Sequence, residues 1–423
     1  MRILFLTHYF PPEVNAPATR TYEHCREWAA AGHEVHVVTC VPSHPAGRPF
    51  PGYRRQWYQR ESVDGIHVHR VWTYLAGNRA VIRRTVNYLS FALSAAWRAW
   101  RLGDFDVAVG TSPQFFCAVA TWLVARVRRR PWVFELRDLW PESIAAVGVM
   151  NRRSAAMRWL ERLADRLYRD AAAVACLTRS FVTTLDARGV DRDKLCYLPN
   201  GIVPEFWSTG SRDDTRRELE VAPAEVLIGY VGTTGMAHDL RTVLDAAADL
   251  RHRAPEVRLL IVGDGAELER LRADAAARRL HNVRFMGLVP RVRIPSLLAA
   301  SDVMLVTLRP SDVFKTVLPS KMFEAMAAAR PIVLGVEGEA RETLLEAAAG
   351  LAVPPGDSVA LADAIHRLAR DREMRAAMGA SGAAFVQREF SRRAWAARYL
   401  SLLEAVSAMA AAPAASRQTA ATR

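Results

Sequence analysis

Lysine is nearly missing from this chain of 423 residues. It occurs three times, as Lys194, Lys315 and Lys321, and arginine carries the basic charge almost everywhere else. The net charge of +13 calls for an acidic partner: nucleic acid, anionic lipid or a phosphorylated substrate. The five cysteines, Cys25, Cys40, Cys117, Cys176 and Cys196, are scattered without a Cys-x-x-Cys pair. That argues against a disulfide framework or a zinc site and for a reducing compartment. No signal peptide is read at the start, because Met1-Arg2 runs directly into ILFL, which is too short for an h-region and reads as a first strand. Long apolar runs are missing too. One uncharged, apolar-rich run, Thr85 to Trp97, has 13 residues, too few to span a bilayer. Arg83, Arg84, Arg98 and Arg101 bracket it, so it reads as a helix lying in a membrane interface; the alternative is a core helix with arginines at its ends.

What the chain has is alternation. An apolar fraction of 51% and a charged fraction of 24% are those of a globular protein, and the length suits two domains of about 200 residues each. Strand-like runs separated by helical stretches fall at Ile3–Thr7, Val35–Thr39, Ile66–Val71, Val107–Gly110, Trp132–Leu136, Ala172–Leu177 and Leu195–Leu198. After a turn at Pro199-Asn200-Gly201 a second series follows: Val226–Gly232, Val257–Gly263, Val283–Met286, Val303–Thr307, Ile332–Leu334 and Leu351–Val353. The pattern predicts two α/β halves with parallel sheets covered on both faces. Ligands of such sheets bind beyond the carboxyl ends of the strands, so two facing halves would put the site in the cleft between them. Ser391 onward has helical period, and the last dozen residues are small and polar, the composition of a disordered tail.

Chemistry is expected in the loops after the strands. The first, His8 to Pro17, is stiffened by prolines. The segment Arg137-Asp138-Leu139-Trp140-Pro141-Glu142 mixes both charge signs with an aromatic; a surface ion pair is its plainer reading. Gly232-Thr233-Thr234-Gly235 lets backbone approach a phosphate closely, and Gly263-Asp264-Gly265 does something similar. Neither is a dinucleotide fingerprint, which makes a nicotinamide enzyme a poor reading. Two of the three lysines, Lys315 and Lys321, fall just before or at a helix opening at Pro319-Ser320. A helix N-terminus attracts phosphate, and Glu324, four residues after Ser320, shares its face. These residues suit a nucleotide diphosphate whose ribose Glu324 grips. They also suit an ordinary helix start with a Glu complementing the dipole.

Taken together, the segments YFPPE, APATR, PGYRRQWYQR, DGIHVHRVW, NYLSF, FELRDLWPES, LPNGI, IGYVGTTGMAHDL, IVGDG, FMGLV and FKTVLPSKMFEAMAAARPIV resemble the retaining glycosyltransferases of family 4, within them the WbuB-like enzymes of bacterial surface-polysaccharide assembly. The resemblance implies an α/β GT-B fold of two facing Rossmann-like domains with a deep interdomain cleft. Residues 1–200 would be the acceptor-binding domain and 201–390 the nucleotide-sugar-binding domain. A helix over 391–408 would return to the first domain, and 409–423 would be the tail. It further implies transfer of a sugar, expected to be an N-acetylated aminosugar or deoxy-aminosugar, from a nucleotide diphosphate, expected to be UDP. The acceptor would be a polyprenyl-diphosphate-linked saccharide at the cytoplasmic face of the membrane, with retention and with neither metal nor cofactor.

Carried over by position, Glu324 would bind the ribose, and Gly232, Thr233, Thr234, Gly235, His238, Gly263, Ser320 and Lys321 would cradle the diphosphate. Met286 and Gly287 would lie near the base. Pro12, Asn15, Ala16 and Arg137 would face the acceptor, and Asp138 and Glu142 would orient it or stabilise the developing cation. The family's frequent glutamate eight residues before Glu324 is Thr316 here, and its basic pair in the diphosphate loop is replaced by Thr233 and His238. Some cation must still offset the leaving diphosphate: Lys321 is the first candidate and Lys315 the second. A nucleotide-sugar epimerase or a non-catalytic nucleotide-binding relative are the competing readings. Nucleic-acid binding is disfavoured, because the arginines are dispersed and no recognised motif occurs.

Overall fold

The computed structural model describes residues 1–44, 46–77, 81–141, 154–207 and 209–411. The chain divides into two compact units, Met1–Asn200 with the chain from Arg392 onward, and Gly201–Ser391.

The first unit is built on strands β1 (Arg2–Leu6), β2 (Glu34–Cys40), β3 (Tyr58–Val63), β4 (Ile66–Val71), β5 (Val107–Thr111), β6 (Trp132–Leu136), β7 (Ala173–Cys176) and β8 (Leu195–Tyr197). They form one sheet in the order β3-β4-β2-β1-β5-β6-β7-β8. All neighbours are parallel except β3 and β4. The parallel strands are largely buried and mostly apolar, as strands of a parallel sheet covered on both faces are. His36 on β2, His69 and Arg70 on β4 and Glu135 on β6 are buried polar exceptions. Strand β3 does not stand out in the sequence. Its pattern, YQRESV, is polar and only half-buried, as an edge strand's is. It pairs with β4 through a two-residue turn in which Asp64 (φ 49°) and Gly65 (φ 81°) are both left-handed, the twist-matched hairpin geometry that favours Asp-Gly.

Order reverses between β1 and β5, so the loops after these strands flank the switch point where ligands of such sheets sit. The β1 loop leads into the helix Ala16–Ala30, whose first turn is closed by Asn15: its side chain accepts from the Ala18 amide at 2.9 Å. The helix Arg392–Ala411 packs against that helix, with Trp395, Tyr399 and Leu403 in one core with Trp28. The Trp28 indole donates to the Ala396 carbonyl at 3.0 Å. The helix runs through Ala411, past the expected end at 408; residues 412–423 lie outside the described residues.

The second unit holds β9 (Val226–Val231), β10 (Val257–Val262), β11 (Val283–Gly287), β12 (Val303–Thr307), β13 (Ile332–Gly335) and β14 (Gly350–Ala352), ordered β11-β10-β9-β12-β13-β14 and all parallel. This is the doubly wound order, with its switch point between β9 and β12. Side chains alternate between two apolar layers. Ile228, Tyr230, Leu259 and Leu305 face one layer, and Leu227, Val231, Leu260 and Val306 the other.

Candidate functional site

In the second unit the ends of β9, β10 and β11 interlock through backbone hydrogen bonds. The Gly232 amide donates to the Val262 carbonyl at 2.9 Å, the Thr234 amide to Asp264 at 3.0 Å, and the Gly263 amide to Gly287 at 2.8 Å. A Cβ on Gly263 (φ +135°) would lie 1.8 Å from the Gly232 carbonyl oxygen, and one on Gly265 would lie 2.6 Å from the Thr234 backbone. Glycine at both positions therefore lets two strand ends close on each other. From the β12 side, the Thr307 hydroxyl donates to the His238 carbonyl at 2.7 Å and the Arg309 amide to Ala237 at 2.9 Å. The glycine loop is thus tied from both flanks of the switch point.

Lys321 sits over this loop. It is the second residue of the helix Ser320–Ala327, whose start carries no side-chain cap. Its ammonium donates to the Tyr230 hydroxyl at 2.9 Å and lies 4.1 Å from that ring's centroid. The Tyr230 hydroxyl in turn donates to the Thr233 carbonyl at 2.6 Å. A Cβ on Gly232 would come within 2.8 Å of the Lys321 nitrogen, so only glycine admits the cation this close. Burial, partly offset by Glu324 one turn on, lowers Lys321 to about 7. An arriving diphosphate would hold the proton on it. Burial and the neighbouring Lys321 push His238 down to about 3, so its ring is neutral. Among the described residues, His238 Nδ1 and Thr234 Oγ1 are buried without a hydrogen-bond partner.

The other expected donor residues separate by role. Gly235 closes the short turn Met236–His238 through its carbonyl, which accepts from the His238 amide at 3.0 Å. Met286 packs on the core at the end of β11, and Gly287 follows it with a left-handed φ of +73°. Lys315 is held by carboxylates, Asp312 at 3.0 Å and Glu337 at 3.5 Å, which makes it an ion-pair partner at the surface and leaves Lys321 as the buried cation at the loop. The Thr316 hydroxyl is spent on the Val313 carbonyl at 2.8 Å. Sequence reasoning misses Tyr230, because an aromatic ending a strand reads as core.

In the first unit the switch point carries a buried charge cluster. Glu135 on β6 is fully buried and meets Arg20 at 3.1 Å, Arg137 at 3.7 Å and the Thr111 hydroxyl at 3.0 Å. Burial opposes its ionisation, but Arg20 and Arg137 prevail and its carboxyl lies below the usual value. Arg137 is consequently a buried ion-pair member rather than a surface one, brought to about 10 by burial. The Ser112 hydroxyl accepts from the amides of Arg137 at 2.8 Å and Asp138 at 3.3 Å, joining the β5 and β6 loops. Burial lifts Asp138 to about 6 against the pull of Arg137.

Pro12 lies in the β1 loop, Asn15 is committed to its cap and Ala16 opens the helix. Glu13, which the sequence does not single out, is buried there, accepts from the Ser43 and His44 amides at 2.8 Å each, and is lifted by burial to about 7. Glu142 lies outside the described residues. The one group of side chains with metal-ligand spacing among the described residues, Glu34, His36 and His67, sits on β2 and β4 away from these loops. His36 Nε2 there faces both Glu34 at 2.7 Å and the Arg2 guanidinium at 3.2 Å.

Comparison with known proteins assigns both units. Residues 15–201 match the family described as "Glycosyl transferase 4-like domain", and residues 211–385 match "Glycosyl transferases group 1". The chain is 36% identical over 301 residues to the phosphatidyl-myo-inositol mannosyltransferase of Mycobacterium leprae, covering 70% of this chain and 73% of that protein. It is 27% identical over 355 residues to WcaI of Escherichia coli K12, assigned as a colanic acid biosynthesis glycosyl transferase, covering 80% and 84%. Among solved structures, HepE from Anabaena in complex with UDP-glucose superposes with a TM-score of 0.73 at 19% identity over 96% of this chain and 100% of that one.

Proposed function

Since the chain belongs to the glycosyltransferases that join a 4-like domain to a group 1 domain, on the GT-B fold, we propose that it moves a sugar from UDP to a lipid-linked saccharide in bacterial surface-polysaccharide assembly. The observation that carries this reading is the Lys321 ammonium held over Gly232 at the carboxyl end of β9. When the bond between the anomeric carbon and the diphosphate breaks, negative charge gathers on the leaving oxygens. Lys321, the amides of the Gly232–Gly235 loop and the helix start at Ser320 meet that charge in fixed positions, taking the part a divalent cation would otherwise play. Glu324, one turn along the same helix, grips the ribose hydroxyls. The acceptor hydroxyl attacks the face the diphosphate is leaving, and a departing diphosphate oxygen takes its proton, so configuration is retained. Asp138, near neutrality, orients the acceptor.

HepE is described with UDP and with UDP-glucose, and WcaI by its place in colanic acid biosynthesis; both support the choice of donor and pathway class. The donor sugar is proposed to be an N-acetylated aminosugar or deoxy-aminosugar and the acceptor a polyprenyl-diphosphate-linked saccharide at the cytoplasmic face. The test incubates the full chain with a panel of UDP-sugars and such an acceptor and reads the new linkage by NMR. One UDP-sugar should be consumed only when acceptor is present, giving the same anomeric configuration as the donor. An inverted product, or a donor isomerised without acceptor, would overturn the reading.

A further inference from the structure

The helix Val81–Arg101 presents an apolar stripe that is left exposed among the described residues. Its core side holds Phe91, Ala95 and Ala99, each fully buried. The opposite side holds Ile82, Val86, Leu89, Leu93, Trp97 and Trp100, spaced by three or four residues and therefore in one line along the axis. Ile82 is 80% exposed, Leu93 74% and Trp97 59%. The helix Phe115–Arg128 packs alongside and extends the stripe with Val127, 68% exposed. Arg128 joins the two helix ends: it donates to the Trp100 carbonyl and its guanidinium lies 5.8 Å over the Trp100 ring. Exposed apolar residues are ordinary when scattered, but a contiguous face of this extent marks an interaction site.

Charge selects the occupant. Neither helix contains an aspartate or glutamate, while they carry Arg83, Arg84, Arg98, Arg101, Arg126 and Arg128. The facing carboxylates are Asp104, 3.9 Å from Arg128 and 3.8 Å from Arg130, and Asp170, 3.6 Å from Arg126. Among the described residues, Arg83, Arg101 and Arg129 have no ion-pair partner. A second copy of this chain docking through a twofold axis would set arginine against arginine. An anionic lipid surface instead satisfies both features: apolar side chains and indoles enter the acyl boundary while guanidinium groups reach phosphates. Among the described residues no helix is long and apolar enough to cross a membrane, so the stripe lies flat.

We propose that this two-helix face docks the protein on an anionic bilayer surface, independently of any lipid-linked acceptor. The test floats the full chain with phosphatidylcholine vesicles, with and without phosphatidylglycerol and free of lipid-linked saccharide. Wild type should float with the anionic vesicles at low salt and lose most of that binding in pure phosphatidylcholine or at high salt. Leu93→Glu and Trp97→Glu should each weaken partitioning at least about tenfold, while Val359→Glu, on the second unit and 66% exposed, should leave it unchanged. Circular dichroism confirms that each variant is folded. Equal flotation of wild type and Leu93→Glu would overturn the proposal. So would flotation that appears only when lipid-linked saccharide is added, or light scattering showing a dimer that Trp97→Glu converts to monomer.

Discussion

Donor affinity should depend on pH through one lysine. Without ligand, burial brings Lys321 to about 7 from its ordinary 10.5, so above neutrality most molecules present a neutral amine to the diphosphate. A bound diphosphate favours the ammonium, and binding must then take up a proton. If only the charged form binds, Kd scales as one plus ten to the power of pH minus 7. It therefore rises about thirtyfold between pH 6 and pH 8.5, or about 2 kcal/mol. UDP-glucose is a suitable probe, since its diphosphate does not titrate in this range. Calorimetry in two buffers of different ionisation enthalpy should give uptake of about 0.9 proton at pH 8. Lys321→Arg keeps its charge at every pH and should flatten the profile. The unliganded protein carries the opposite signature. The folded pKa lies below the unfolded one, so the cost of burying this charge is full below pH 7 and fades as pH rises toward 10.5. A Kd that stays constant from pH 6 to 8.5, with no proton uptake, would refute the reasoning.

Tyr230→Phe removes the hydroxyl that links Lys321 to the Thr233 carbonyl; denaturant unfolding should show a loss of about 1–2 kcal/mol, and donor Kd should rise several-fold. Glu135→Gln removes the charge that Arg20 and Arg137 face inside the first unit; urea titration should show about 3–5 kcal/mol of destabilisation, and a loss below about 1 kcal/mol would mean the cluster is hydrated. Glu324→Gln should raise donor Kd about tenfold by calorimetry, and an unaltered Kd would remove the ribose assignment.

The strand series is legible in the chain because buried parallel strands must be apolar on both faces, and a short apolar run bounded by helical period fits a buried strand best. Strand β3 escapes because Tyr58–Val63 lies at the sheet edge and keeps polar residues; the Asp64-Gly65 turn is its only local signal. At the candidate site, the scarcity of lysine draws attention to Lys315 and Lys321 but cannot rank them. What separates them is in part local, Asp312 three residues before Lys315, and in larger part long-range: Glu337 reaches Lys315 from beyond β13, and Tyr230 meets Lys321 across 91 residues. Arg20 and Glu135, 115 residues apart, likewise pair only through the sheet's topology. Asn15, expected near the acceptor, acts locally as a helix cap, a role its position before Ala16-Pro17 permits but does not distinguish from ligand contact.

The most direct measurement compares single-turnover transfer rates of wild type, Lys321→Ala and Lys321→Arg at saturating donor and acceptor. If Lys321 stabilises the departing diphosphate, Lys321→Ala should lose about a hundredfold or more in rate and Lys321→Arg should recover part of it. A rate within a few-fold of wild type for Lys321→Ala would contradict the account.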